Sequence, residues 1–163
     1  MRKKIEQLLA ISIVILLSAG MTSCDKNQEV QLSEEEEIQI FLDDNDLDFE
    51  PTESGLYYIE LIEGTGLQPV AGDTVTVHYS GTFLNGRVFD SNIGREPMRF
   101  VLGIAYVIEG WEEGLTYMKE GGEALLIVPS SLAYGAEGYY DIPAYTPLAF
   151  TIILEDVYPG PGR

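Results

Sequence analysis

From Asp73 onward the chain alternates. In DTVTVHYSGTF, Val75, Val77 and Tyr79 fall on one face and Thr76 and His78 on the other, the period-two pattern of a strand with one side buried. Asn85-Gly86 between apolar flanks is a type I′ hairpin signal leading into RVFD. A strand buried on one side that turns straight back on itself commits the chain to an antiparallel sheet. LYYIELI at 56–62, MRFVL at 98–102, EALLIVP at 123–129 and PLAFTIILEDV at 147–157 supply further strands, the last with Leu148, Phe150, Ile152 and Leu154 on one face. One stretch changes period. In GWEEGLTYM, Trp111, Leu115 and Met118 share a helical face, with Glu112 and Glu113 opposite. Many strands, one short helix and no strand–helix alternation imply an α+β fold, an antiparallel sheet folded over that helix.

The segments before residue 51 have other compositions. Arg2, Lys3 and Lys4 form a basic start, LLAISIVILL is an apolar run, and small residues precede Cys24. This is the plan of a secretory signal peptide over 1–23, with an apolar core too short for a spanning helix. MTSC at 21–24 resembles the lipobox of bacterial lipoproteins, and Cys24 is the chain's one cysteine. Lipidation of Cys24 and export to the cell envelope are expected. A plain cleaved signal or an uncleaved anchor are the alternatives. Residues 24–50 form an acidic tether. Within it Ser33 and Glu36 make a capping-box pattern, and Ile38, Phe41 and Leu42 fall on one stripe of a helix running to near Asp44. That helix is either a spacer or packed on the domain at 51–163.

Charge and chemistry narrow the function. Nine Lys plus Arg against twenty-seven Asp plus Glu give a net charge of -18. This argues against nucleic acid or an anionic membrane surface as partner, since both need Lys or Arg, and leaves a lipid anchor as the membrane attachment. One Cys and one His exclude a disulfide framework and a tetrahedral zinc site built from such residues. DDNDLDFE at 43–50 alternates acids from Asp44, but a calcium loop starting there needs Gly and Glu where Phe49 and, beyond the run, Gly55 stand. His78 falls on the face away from the aromatic residues, which disfavours a nucleophilic triad. Acidic pairs remain open, because so many carboxylates make chance pairs certain. What the chain concentrates is inward rings: Tyr79, Phe89, Phe100, Trp111, Tyr134 and Phe150, with Asp90 beside Phe89. Such a set is either a core or an apolar ligand pocket with a few polar groups.

VHYSGTFLNGRVFDS at 77–91, VIEGWEEGL at 107–115, AYGAEG at 133–138 and IPAYTPLAF at 142–150 together resemble the FKBP-type peptidyl-prolyl cis/trans isomerases, over residues 55–158. The resemblance implies a half-barrel sheet wrapped on the helix, with a proline pocket between sheet, helix and loops. Trp111 would floor it and Tyr79, Phe89, Phe100 and Phe150 would wall it. The backbone at Val107 and Ile108 would hold the peptide, the Tyr134 phenol would bond a substrate carbonyl, Asp90 would face the twisting amide, and Ile142 would line the rim. Met98 stands where the family commonly has Phe, and Arg95 would partner Asp90. Tyr139 and Tyr140 are bulky at the rim and imply altered preference for the residue before proline. The implied partners are Xaa-Pro polypeptides, and macrolide inhibitors that fill such pockets; no cofactor and no metal is implied. A proline-binding module or chaperone with little turnover is the alternative function.

Overall fold

The computed structural model describes residues 32–162. The expected signal peptide, Cys24 and the first part of the tether lie outside the described residues. Helix α1 covers Glu34–Asp44. Its capping box is complete: Glu36 N donates to Ser33 Oγ at 3.3 Å and Ser33 N donates to Glu36 Oε2 at 2.8 Å.

The strands are β1 Tyr57–Ile62, β2 Thr74–Phe83, β3 Val88–Ser91, β4 Met98–Val101, β5 Glu123–Val128 and β6 Leu148–Tyr158, with helix α2 at Glu109–Tyr117 between β4 and β5. They form one antiparallel sheet in the order β1-β5-β6-β2-β3, with β4 also paired to β2. β3 pairs the far half of β2 (Ser80 to Thr82) and β4 the near half (Thr74 to Val77). The two short strands therefore share one edge of β2, with the segment from Asn92 to Pro97 between them.

β5 explains why EALLIV shows no alternation. Ala124, Leu126 and Val128 are buried in the larger core with Trp111 and Leu115. Ile127, with Leu125 packed alongside, belongs to a second cluster with Ile38, Leu42 and Ile59. Both faces of β5 are covered, so both sets of side chains are apolar, as on any strand buried on two sides. Of the two arrangements open for α1, the structure has the packed one: its Ile38 and Leu42, 4% and 2% exposed, close the face opposite α2.

α2 approaches β5 closely because two of its sheet-facing positions are glycines. A Cβ at Gly110 would lie 2.5 Å from Val128 Cγ1, and one at Gly114 2.6 Å from Leu126 Cδ1. The β2–β3 connection departs from the expected type I′ turn. Asn85 lacks the positive φ that such a turn requires, and only Gly86 has one, at 83°. Phe83 N donates to Arg87 O at 3.0 Å, so the loop is three residues long, and Asn85 Oδ1 accepts Arg87 N at 3.0 Å. The longer loop lets Leu84 pack with the α1 cluster.

Gly114→Val adds bulk against a fully buried leucine, and overpacking of this kind costs about 1–3 kcal/mol, more than the few tenths that Val gains over Gly in helix propensity. Urea unfolding is expected to show that loss as a lowered midpoint; an unchanged midpoint would mean that α2 does not need this close approach.

Candidate active site

A cavity of about 390 Å³ opens between α2, β2, β3 and the loop before β6, lined by Tyr79, Phe89, Asp90, Met98, Tyr106, Val107, Ile108, Trp111, Tyr134, Tyr139 and Phe150. Trp111 stands at the first turn of α2 and is 4% exposed. Its indole meets Tyr79 edge-on at 4.9 Å and 77°, and Phe150 at 5.3 Å and 88°. Phe89 continues the wall, perpendicular to Phe150 at 5.6 Å. Such T-shaped pairs set the positive edge of one ring against the negative face of the next. The Trp111 Nε1 is buried with no hydrogen-bond partner among the described residues. Ring contacts and core packing therefore fix the indole.

The rings fit because Gly81 leaves room. A Cβ there would lie 2.7 Å from Phe89 Cζ and 2.9 Å from Phe150 Cε1. β2 and β3 are pinned beside the cavity by Asn92, whose Oδ1 accepts Tyr79 N at 2.7 Å while its Nδ2 donates to Val77 O at 3.1 Å. Ser91 Oγ donates to Tyr79 O at 2.9 Å. Tyr79 is thus held at both of its backbone polar groups.

Asp90 is the one carboxylate in the lining, and four tyrosines, Tyr79, Tyr106, Tyr134 and Tyr139, bring their phenols to it. Tyr79 Oη donates to Asp90 Oδ2 at 2.6 Å. Burial first, then the bond to Asp90 and its charge, push the Tyr79 phenol well above its ordinary range, against a smaller opposing pull from Arg95. Burial also raises the Tyr134 phenol, with Tyr139 and Asp90 adding to it. Both phenols are therefore protonated donors at neutral pH. Ile108 caps α2 without a side-chain bond, and its carbonyl accepts Trp111 N at 3.0 Å and Glu112 N at 3.2 Å.

Most residues that the sequence singles out meet here, with three exceptions. Phe100, 5% exposed, lies behind the lining because Tyr106 stacks over it at 5.8 Å and 22°. Ile142, also 5% exposed, is turned into the core by the tight bridge between Tyr139 and Ile142, and the Tyr139 ring takes the place at the cavity instead. Arg95 neither lines the cavity nor forms an ion pair with Asp90 among the described residues; Tyr79 is the partner that Asp90 has. Arg95 sits in the turn after β3, with its N–H bonded to Asn92 O at 2.9 Å.

Tyr106 and Asn92 are site residues that sequence reasoning missed. An Asn directly after a hairpin strand was the available signal for Asn92, since its short amide readily bonds nearby backbone. At the rim Tyr139 lies flat on Tyr134 at 4.9 Å and 10°, and Tyr140 meets Tyr139 edge-on at 4.6 Å. Tyr140 is 93% exposed and has φ of 47°, a left-handed conformation that a bulky residue rarely takes.

The family model for the FKBP-type peptidyl-prolyl cis-trans isomerases matches residues 66–155. The FK506-binding protein of Neisseria meningitidis serogroup B is 44% identical over 106 residues, covering 64% of this chain and 97% of its own length. The isomerase FkpA of Escherichia coli K12 is 43% identical over 109 residues, covering 66% of this chain and 40% of that protein. That match therefore takes in less than half of the length of FkpA. Among solved structures, that of FkpA from Escherichia coli superposes with a TM-score of 0.70 at 37% identity, covering 79% of this chain and 61% of that one. The structure of AtFKBP13 gives 0.63 at 34% identity, covering 67% and 98%. The sheet wrapped on α2, the indole-floored cavity and these matches agree: the chain belongs to the FKBP-type peptidyl-prolyl cis-trans isomerase family.

Proposed function

We propose that this cavity speeds rotation about Xaa-Pro bonds by receiving the prolyl ring on Trp111 and stabilising the twisted amide against its apolar walls. The observation that carries this reading is the open, ring-lined hollow with a single carboxylate at its edge. A prolyl amide resists rotation because resonance gives its C–N bond double-bond character, a barrier of about 18–20 kcal/mol. In the twisted state that resonance is lost. The carbonyl becomes less polar, and it suits an apolar wall better than it suits water. A ten-thousandfold acceleration needs only about 5.4 kcal/mol, within reach of shape fit and a few hydrogen bonds that strengthen on twisting. No nucleophile is required.

In this reading Asp90 faces the twisting bond, oriented by the Tyr79 hydroxyl that occupies its Oδ2. Tyr134 donates to a substrate carbonyl, and the backbone at Val107 and Ile108 holds the peptide. Phe89, Phe150 and Met98 close the walls. Tyr139 sets the preference for the residue before proline, and macrolides that mimic the twisted prolyl unit compete for the same hollow. The basic start, apolar run and lone Cys24 support an exported protein tethered by lipid at Cys24, with exported polypeptides as clients.

Asp90→Ala and Tyr134→Phe are each expected to lower kcat/KM on an Xaa-Pro peptide by about tenfold, roughly 1.4 kcal/mol, with little change in melting temperature. The same assay across different Xaa residues, and with a macrolide present, reads the rim and the hollow. Wild-type rates in both variants would remove these roles, and peptide binding without turnover would leave a binding module.

The raised phenols place any loss of rate from their ionisation above about pH 10, the ordinary tyrosine value. Their protonated form is the one the fold favours, so its contribution holds at lower pH and is lost as pH rises through the raised values. A pH–rate profile with an alkaline limb near neutrality would contradict the assignment of the phenols as donors.

Cys24→Ser is expected to move the protein from the membrane to the soluble fraction on cell fractionation. Retention on the membrane would favour an uncleaved anchor over lipidation.

A further inference from the structure

Glu34, the first residue of α1, reaches the segment that carries Tyr134. Its carboxylate accepts the backbone N–H of Ser130, and its Oε2 accepts the Ser130 hydroxyl at 2.7 Å. Ser130 is 5% exposed and opens the short 3₁₀ turn Ser130–Leu132. Its carbonyl in turn accepts Ala133 N at 3.0 Å and Gly135 N at 2.8 Å. Those two residues flank Tyr134. Ser130 is thus the anchor at the start of the turn that presents the phenol, whose far side is tied by Tyr145 N to Gly135 O at 2.8 Å, and Glu34 grips Ser130 at both its N–H and its hydroxyl.

α1 does not need this carboxylate to stay in place. Its apolar stripe is already seated on β1 and β5 through Ile38 and Leu42, and its start is closed by the Ser33–Glu36 box. The two-oxygen grip therefore does something the packing does not: it ties the helix to the Tyr134 turn. Glu34 also lies outside residues 66–155, the part of the chain that the family model covers. An active-site group displaced by even an ångström loses much of its effect, since the benefit of orientation depends on geometry.

We propose that Glu34 is a positioning residue for Tyr134, so that α1 is a working part of the isomerase rather than a spacer ahead of it. This rests on the role given to Tyr134 above. Glu34→Gln keeps one good acceptor oxygen and replaces the other with a donor, whereas Glu34→Ala removes both.

The test is a double-mutant cycle on the full chain with an Xaa-Pro peptide. Glu34→Ala is expected to lower kcat/KM by about fivefold in the wild-type background, as expected for a misoriented group, with Glu34→Gln recovering part of the loss. In the Tyr134→Phe background Glu34→Ala is expected to lower it no further. Glu35→Ala, which removes an exposed carboxylate from the same helical turn without touching Ser130, serves as the control and leaves the rate intact. An equal fall in both backgrounds, no fall in wild type, or a matching fall with Glu35→Ala would each overturn the proposal. A Tyr134→Phe enzyme as fast as wild type, or a wild type without turnover, would instead bring down the role of Tyr134 and the proposal with it.

Discussion

Trp111 is held by the edges of neighbouring rings and by the closeness of α2 to β5, and the rest of the site is arranged around it. With its Nε1 buried and unpartnered among the described residues, no hydrogen bond from them orients the indole. Tyr79 and Phe150 meet it nearly perpendicular, and the helix that carries it rests on Leu126 and Val128 through Gly114 and Gly110. If the helix stood off the sheet by the width of two methyl groups, the floor of the cavity would rise and the ring contacts would be lost together. A flat apolar floor fixed by shape is what a prolyl ring requires, because that ring offers few polar atoms to grip.

The sheet is covered on both sides, and this gives the N-terminal helix a meaning that an acidic tether would not have. β5 faces α2 through Leu126 and Val128 and faces α1 through Ile127. The two helices therefore brace the same strand from opposite sides. Ser130 follows β5 directly after Pro129, so the strand leads straight to the residue that Glu34 holds and that anchors the start of the Tyr134 turn. Fold stability and placement of the phenol pass through the same short stretch of chain.

The polar chemistry of the cavity is sparse. One carboxylate is engaged by one phenol at 2.6 Å, and burial keeps the Tyr79 and Tyr134 phenols in their neutral form. A reaction whose barrier is loss of amide resonance is helped by an environment that favours a less polar carbonyl, and strong charge inside the cavity would work against that. Acidic residues are plentiful on this protein, yet Asp90 is the one carboxylate among the lining residues. At the mouth, Tyr140 holds a left-handed conformation while almost fully exposed. Strain of this kind persists where the surroundings impose it, here the tight bridge between Tyr139 and Ile142 that lays the Tyr139 ring on Tyr134.

Period-two alternation in 73–83, the shared faces of 148–154 and the helical stripe of Trp111 and Leu115 were legible in the sequence, because local periodicity records which side of an element is buried. The capping box at Ser33 was legible for the same reason: its bonds join residues three apart. Other features depended on contacts distant in sequence. Asn85-Gly86 did not form the expected two-residue turn, since Leu84 finds burial against α1. Phe100 and Ile142 are covered by Tyr106 and by a loop closure that no spacing announces, and Asp90 pairs with Tyr79 across the hairpin rather than with nearby Arg95. By itself the sequence determined the strands, the helices and the stock of rings, because those follow from neighbours along the chain. Only the tertiary structure decided which rings face the hollow and that Glu34 meets Ser130, because these depend on how close two surfaces distant in sequence come when both faces of one strand are buried.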